Sequence, residues 1–306
     1  NAEKIFESNL EFNSGIGAWG GINQRSTWME AQIWNWRSDH FISAPQTVYT
    51  GGCDGWGGLG VPQWFGDEFF ANDGHSARFD ATLKHVDDAV YNMTYLDAAI
   101  NAMSLEEKKA SNKIGIKDPQ DGLYGQSFWL PFKQMVAAED CVADYGNNVR
   151  LNNNIVMRYA EVLLLYAEAC LQSGDAGEAK KYLNMIQERA GAPKSATLTL
   201  DAVKKEKWFE LAWEGQRFFD LVRWGDAAKE LAFKGTTENP YLTDEFYEYG
   251  TLGAKKTGKP HKAVVLYKDD GFKGAGFKSN HNEYFPIPYD VLELNDQLQQ
   301  NPYWAQ

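Results

Sequence analysis

Residues 158–170 read Arg158-Tyr159-Ala160-Glu161-Val162-Leu163-Leu164-Leu165-Tyr166-Ala167-Glu168-Ala169-Cys170, and this stretch decides the fold. With Ile155 in front of it, apolar residues at 155, 159, 162, 163, 166, 169 and 170 recur at the intervals of one helix face. Gly174 stands just past the expected helix end. Asp175 and Glu178 have capping-box spacing and open a second helix. Ala179, Leu183, Ile186 and Ala190 form its apolar stripe, and Gly191 and Pro193 stop it. Two such helices across a short turn predict an αα-hairpin.

Working outward, a third helix is expected from about Asp201 to Glu214, and a shorter one from Gln216 to Trp224. Ala167, Ala179 and Leu183, with a Pro just after, sit at tetratricopeptide spacing. Only one such unit is visible, whereas stacked repeats need neighbours to bury a continuous core. The fold class expected is therefore mainly α, with tetratricopeptide-like helical hairpins, a long irregular loop region and a few short strands. Three portions are distinguished: 1–154, rich in loops and aromatics; 155–232, helical; and 233–306, C-terminal loops and tail.

The first portion opens with a strand expected over Lys4–Phe12, with Phe6, Leu10 and Phe12 on one face. A Gly-rich run, Gly51-Gly52-Cys53-Asp54-Gly55-Trp56-Gly57-Gly58-Leu59-Gly60, gives a backbone free to lie close against something. Pro62 suits the start of a short helix through Phe70, with Asn72-Asp73-Gly74 as its stop. Ser104 and Glu107 have capping-box spacing, which predicts a short exposed helix carrying Lys108 and Lys109. In the tail, Ala263–Tyr267 reads as a strand, Tyr284–Pro288 as extended chain, and Asp290–Leu294 as a last helical turn.

Composition narrows the function classes. The chain has 306 residues, 43% hydrophobic and 24% charged, the profile of a folded protein rather than a disordered one. Its net charge of −12 argues against broad binding to nucleic acid or to an anionic membrane surface. No apolar run is long enough to span a bilayer as a helix. Asn1 is not an initiator Met, so any targeting signal is expected to have been removed or to lie outside this sequence. Cys53, Cys141 and Cys170 are odd in number and widely spaced, giving neither a disulfide framework nor a zinc knuckle; Cys170 reads as a small core residue. No nucleophile elbow, HExxH, P-loop or dinucleotide fingerprint is present. No cofactor and no metal are expected. Asp67, Glu68, Asp73 and Asp80 could offer oxygens to calcium but miss EF-hand spacing, so they read as a solvated acidic surface.

Four segments together resemble one family. They are Arg158–Ala169; Leu183-Asn184 with Glu188-Arg189-Ala190-Gly191; Glu210-Leu211-Ala212-Trp213-Glu214-Gly215-Gln216-Arg217-Phe218-Phe219-Asp220-Leu221-Val222-Arg223-Trp224-Gly225; and Phe285-Pro286-Ile287-Pro288 followed by Gln300-Asn301-Pro302. In this order they are similar to the SusD/RagB-like outer-membrane lipoproteins of Bacteroidetes. Departures are Glu206-Lys207 in place of Glu-Arg, and Asp296 and Tyr303 where Pro and Gly are common. The resemblance implies the C-terminal half of such a protein. It implies a non-catalytic, cell-surface glycan-binding protein of the outer membrane. Its partner would be a SusC-like TonB-dependent transporter, and its only membrane association an N-terminal lipid absent from this chain. Two other classes remain open: a glycoside hydrolase with an aromatic-lined cleft, and a helical-repeat protein–protein adaptor.

The candidate glycan-binding residues are Trp56, Tyr49, Trp36, Trp28, Trp34 and Asp54. The chain has 11 Trp, and Trp19, Trp28, Trp34, Trp36, Trp56 and Trp64 all lie in the first 64 residues. A pyranose presents a flat face of C–H groups that a fixed aromatic ring covers, while Asn35, Arg37, Gln46 and Asp54 are at hand for hydroxyls. The competing reading is that Trp is a core filler, and it weighs most on Trp34 and Trp64, which have apolar neighbours. Trp56, between glycines, has no periodic pattern that would place it in a core. Arg217, Asp220, Arg223, Glu206 and Glu214 read as a salt-bridge network between helices, although a catalytic carboxylate pair could occupy the same spacing.

Overall fold

A computed structural model describes residues 3–8, 41–43, 61–85, 88–111, 113–114, 129–133, 153–231, 238–239, 247–248, 251–255, 264–265, 277–301 and 304. The chain forms two compact units, one of residues 1–214 and 239–264 and the other of 215–238 and 265–306.

The first unit is built on the predicted hairpin, α5 (Tyr159–Gln172) and α6 (Ala176–Ala190). The turn between them follows its sequence signals. The Gly174 N–H donates to Leu171 and the Asp175 N–H to Cys170, with Gly174 at φ 89°. This is the double carbonyl cap that a left-handed residue after a helix permits. The Asp175 side chain then accepts from the Glu178 N–H and starts α6. Ala179, Leu183, Ile186 and Ala190 are all buried, as the stripe predicts, and Cys170 is buried with them. Helix α7 (Leu200–Glu210) closes this layer, with Val203 and Leu211 joining Leu163, Leu164, Leu183 and Ile186 in one core.

Three local expectations are corrected. Ile155 does not begin the helix: Asn154–Arg158 is a strand, β4, pairing antiparallel with β1 (Lys4–Ser8). The Ile-Val-Met run favours a strand, and its partner lies too far along the chain for a local period to reveal. On α5 the buried face is Ala160, Leu163, Leu164 and Ala167, while Tyr159 and Tyr166 are 46% and 47% exposed. This face also buries Glu161 and Glu168, so a count of apolar residues alone does not locate it. The third helix ends at Glu210, not Glu214: Trp213 takes φ 62°, which turns the chain out of the helix. The strand expected from Lys4 forms over Lys4–Ser8, with Phe6 62% exposed; Leu10 and Phe12 lie outside the described residues.

Between these strands lie shorter helices. α1 (Gln63–Asp73) runs one turn beyond the expected Phe70 and ends at Gly74, which has φ 57°. It is followed by α2 (Ala77–Thr82), β2 (Leu83–His85) paired with β3 (Trp129–Pro131), α3 (Ala98–Asn101) and α4 (Leu105–Ala110). α4 carries the full Ser104–Glu107 capping box. In the second unit, α8 (Arg217–Trp224) ends at Gly225 in the left-handed region and leads into α9 (Ala227–Glu230). α10 (Tyr289–Leu294) follows the extended Phe285–Pro288 segment. Gln300 fixes that segment, accepting from the Ile287 N–H at 2.7 Å and donating to the Ile287 carbonyl at 2.9 Å. The expected strand near Ala263 is the two-residue β-segment Val264–Val265.

Candidate functional site

Trp28, Trp34, Trp36, Tyr49, Asp54 and Trp56 all lie outside the described residues. The chain becomes described at Val61, five residues after Trp56, and there it enters an aromatic core. Val61, Phe65, Phe69, Phe79, Leu83, Trp129, Phe209 and Ala212 form this core, with Trp208 and Trp213 packed against it. The 3.6-residue period of α1 places Phe65 and Phe69 one turn apart on one face. Phe69 stacks on Phe209 of α7 at 4.4 Å between parallel rings and meets Phe79 edge-on at 5.1 Å. Gly66 lies against the Trp129 ring so closely that a Cβ would overlap it. The Trp129 indole N–H donates to Asp67 at 2.8 Å. Trp64, the one of the six N-terminal tryptophans within the described residues, is 39% exposed at the edge of this core.

Behind the aromatics runs a buried ion network that sequence spacing assigns only in part. Arg78 on α2 grips Asp73 at the end of α1 with Nε and Nη2, both at 3.0 Å, and also pairs with Glu206 and Glu210 of α7. Asp73 is therefore a buried structural carboxylate, not part of a solvated acidic surface; the other three acids have other partners. Asp67 holds Trp129, Glu68 pairs with Lys205 at 3.5 Å, and Asp80 contacts His75 at 3.0 Å. Arg158, the last residue of β4, bonds Glu210 at 2.6 Å and Glu214 at 2.6 and 2.7 Å. Lys133 also reaches Glu214, and Arg189 reaches Glu210 and, at 2.9 Å, Glu3. Gln187 donates to Glu206 at 3.0 Å. So Glu206 and Glu214 do belong to a network, but their partners come from α2, β4, α6 and residue 133. In the second unit, Asp220 pairs with Arg223 of its own helix at 2.8 Å. Arg217 sits over the Trp224 ring at 5.9 Å.

Burial opposes charge on Glu206, Glu210, Glu214, Lys133, Arg78 and Arg158, and partners decide each outcome. Burial raises Glu206, and the facing Arg78 guanidinium does not fully offset it. Burial acts the same way on Glu210 and Glu214, but there Arg158 outweighs it, helped by Arg189 and Lys133 respectively, and both sit below the usual carboxylate range. Burial lowers Lys133 despite Glu214. Arg158 and Arg78 overcome burial through their carboxylates and hold their protons more firmly than free guanidinium. Arg78, Arg158, Arg189, Lys133 and Glu210, with Ala77, Ala81, Thr82 and Ala190, line a cavity of about 250 Å³. Its charged walls already satisfy one another, so it reads as the interior of a structural joint.

Among the described residues no group of three or more His, Cys, Asp or Glu is placed to hold a metal ion. No helix among them is long and apolar enough to cross a membrane.

Comparison with known proteins places this architecture. The chain superposes on surface glycan-binding protein A from Bacteroides thetaiotaomicron with a TM-score of 0.57 and 23% identity, over 98% of this chain and 52% of that one. A second solution of a protein of that name and organism is in complex with laminarihexaose. A laminarin binding SusD-like protein aligns with a TM-score of 0.60 and 23% identity, over 99% of this chain and 50% of that one. At that identity the likeness is one of fold. The chain spans about half the length of these solved relatives. A SusD-like protein of Bacteroides ovatus is 35% identical over 75 residues, 24% of this chain and 14% of that protein. A sequence model of the SusD family matches residues 23–304, taking in the aromatic-rich N-terminal sequence, the helical hairpin and the tail alike; the chain belongs to the SusD family.

Proposed function

We propose that this chain is the ligand-binding portion of a non-catalytic, cell-surface glycan-binding protein. It would capture a polysaccharide or oligosaccharide for uptake through a SusC-like TonB-dependent transporter of the outer membrane. The observation that carries the reading is membership of the SusD family over residues 23–304. The fold likeness to proteins described as glycan-binding and laminarin binding supports it. Anchoring at the cell surface would come from a lipid attached outside these residues.

A binding role also agrees with the chemistry of the acids. Asp73, Glu206, Glu210 and Glu214 are each engaged by a cation in a buried network. A glycosidase needs one carboxyl free to protonate the leaving oxygen and a second facing it across a cleft. The proposed contacts are Trp56, Tyr49, Trp36, Trp28 and Trp34 as stacking rings and Asp54 as a hydroxyl partner. The aromatic core beginning at Val61 would hold the end of that loop.

Native affinity electrophoresis of the 306-residue chain through gels containing soluble polysaccharides tests this. Retardation by at least one glycan, with no reducing sugar released on long incubation, is expected. Free migration through the whole panel contradicts the reading. So does sugar release that a single carboxylate substitution abolishes.

A further inference from the structure

We propose that Trp64, backed by Trp208, is a second stacking surface for a pyranose ring of a neutral glycan, built on rigid helices rather than on the Gly-rich loop. The proposal rests on the glycan-binding reading above and assigns it a further subsite. Three features of the surface carry it.

The first is preorganisation. Trp64 is 39% exposed, yet its ring lies 5.6 Å from Trp208 at a 34° tilt and meets Phe65 edge-on at 6.4 Å. Trp208 is in turn held between Phe65 at 5.1 Å and Phe209 at 5.4 Å. Such backing removes the ordering cost that an isolated surface Trp meets on binding.

The second is the polar surround. Glu68, one turn after Trp64 on α1, pairs with Lys205, one turn before Trp208 on α7. The pair is loose, at 3.5 Å, and both side chains are nearly half exposed. An exposed pair of this kind contributes little to folding. It does set an acceptor and a donor beside the indole pair, the combination that sugar hydroxyls require.

The third is charge. The Glu68–Lys205 pair beside the rings is neutral overall, and the whole chain carries a net −12. A sulfated or uronic chain meets a repulsive field here, whereas a neutral glycan does not.

The test uses the 306-residue chain with laminarin, soluble starch and xyloglucan as neutral probes and polygalacturonate as the acidic one. Trp64→Ala should weaken the neutral glycan bound by wild type about tenfold, as loss of an interface aromatic does. Trp64→Phe, which keeps a ring against Trp208, should weaken it less. In the wild-type chain, hydroxyl-radical oxidation of Trp64, read by mass spectrometry, should slow several-fold when the glycan is bound. This footprint decides the matter even if Trp64→Ala fails to fold. Unchanged affinity in a folded Trp64→Ala variant, or undiminished oxidation of Trp64 in the complex, overturns the subsite and leaves glycan binding standing. Binding of polygalacturonate alone overturns the neutral-glycan assignment. A wild-type chain that binds none of the four contradicts the functional reading itself.

Discussion

Arg158, at the junction of β4 and α5, ties the strand to the end of α7. Its guanidinium bonds Glu210 and Glu214 through three nitrogens and also the Glu210 carbonyl at 2.6 Å. Removing it leaves two buried carboxylates facing each other without their main cation. Arg158→Ala is therefore expected to destabilise folding by about 3–5 kcal/mol, read as a lower urea midpoint. A midpoint within error of wild type would show the network to be dispensable. Trp213 carries a different lesson. Its φ of 62° is strained for a large residue and is held by packing, including an edge-on contact with Phe65 at 5.8 Å. Because it is only half-buried, Trp213→Ala should cost less than the ~3–5 kcal/mol of a fully buried Trp. Trp56→Ala should change the melt little, as surface substitutions usually cost under about 0.5 kcal/mol. A drop in melting temperature for Trp56→Ala as large as for Arg158→Ala would place Trp56 in a core. At this scale the sequence shows which residues are charged or aromatic but not which of them meet. Arg78 and Glu206 are neighbours in the fold and 128 residues apart in the chain, so no local spacing announces the pair.

Helices were legible where local chemistry sets them. The turn at Gly174, the caps at Asp175 and Ser104, and the stop at Gly191 each depend on a few adjacent residues, and each forms as read. Two departures from the local reading depend on partners elsewhere in the chain. The strand at Asn154–Arg158 needs β1, and the end of α7 needs cations on other elements to receive Glu210 and Glu214. Element packing has its own test at Gly66. That residue lets the Trp129 ring of β3 lie directly on α1, and an added methyl would have to displace the ring. Gly66→Ala improves helix propensity by about 1 kcal/mol but overpacks the core. A net loss of about 1–3 kcal/mol is expected, with blue-shifted or broadened Trp fluorescence reporting the moved ring. A stabilised variant would mean that Trp129 does not rest on α1.

For the whole molecule, the ion network predicts the response to acid. Glu210 and Glu214 have lowered pKa values, so their contribution is fully present above the ordinary value of 4.5 and is lost as pH falls through their folded values. Glu206 is shifted upward and acts in the opposite sense, contributing most at low pH. Glu210 and Glu214 are the carboxylates that Arg158 holds charged, so acid removes the ion pairs that join β4 to α7, and the expected effect is a loss in acid. Urea midpoints are expected to fall below about pH 4.5, the range where unperturbed glutamates protonate. A midpoint that rises on acidification would contradict the assigned directions. The fold class and the family were both legible from four sequence segments, because those segments hold much of the hairpin and, in Arg158, Arg189, Glu210 and Glu214, residues that join it to α7. The glycan was not, because the candidate rings lie in a Gly-rich, aperiodic stretch of sequence that sets composition without setting curvature. The most direct measurement is calorimetric titration of the wild-type chain with laminarihexaose and with oligosaccharides of other neutral glycans, followed by mass analysis of the recovered sugar. Saturable heat with at least one of them, and a ligand recovered at its original length, is the predicted result. No heat with any oligosaccharide, or a shortened ligand, would contradict the account.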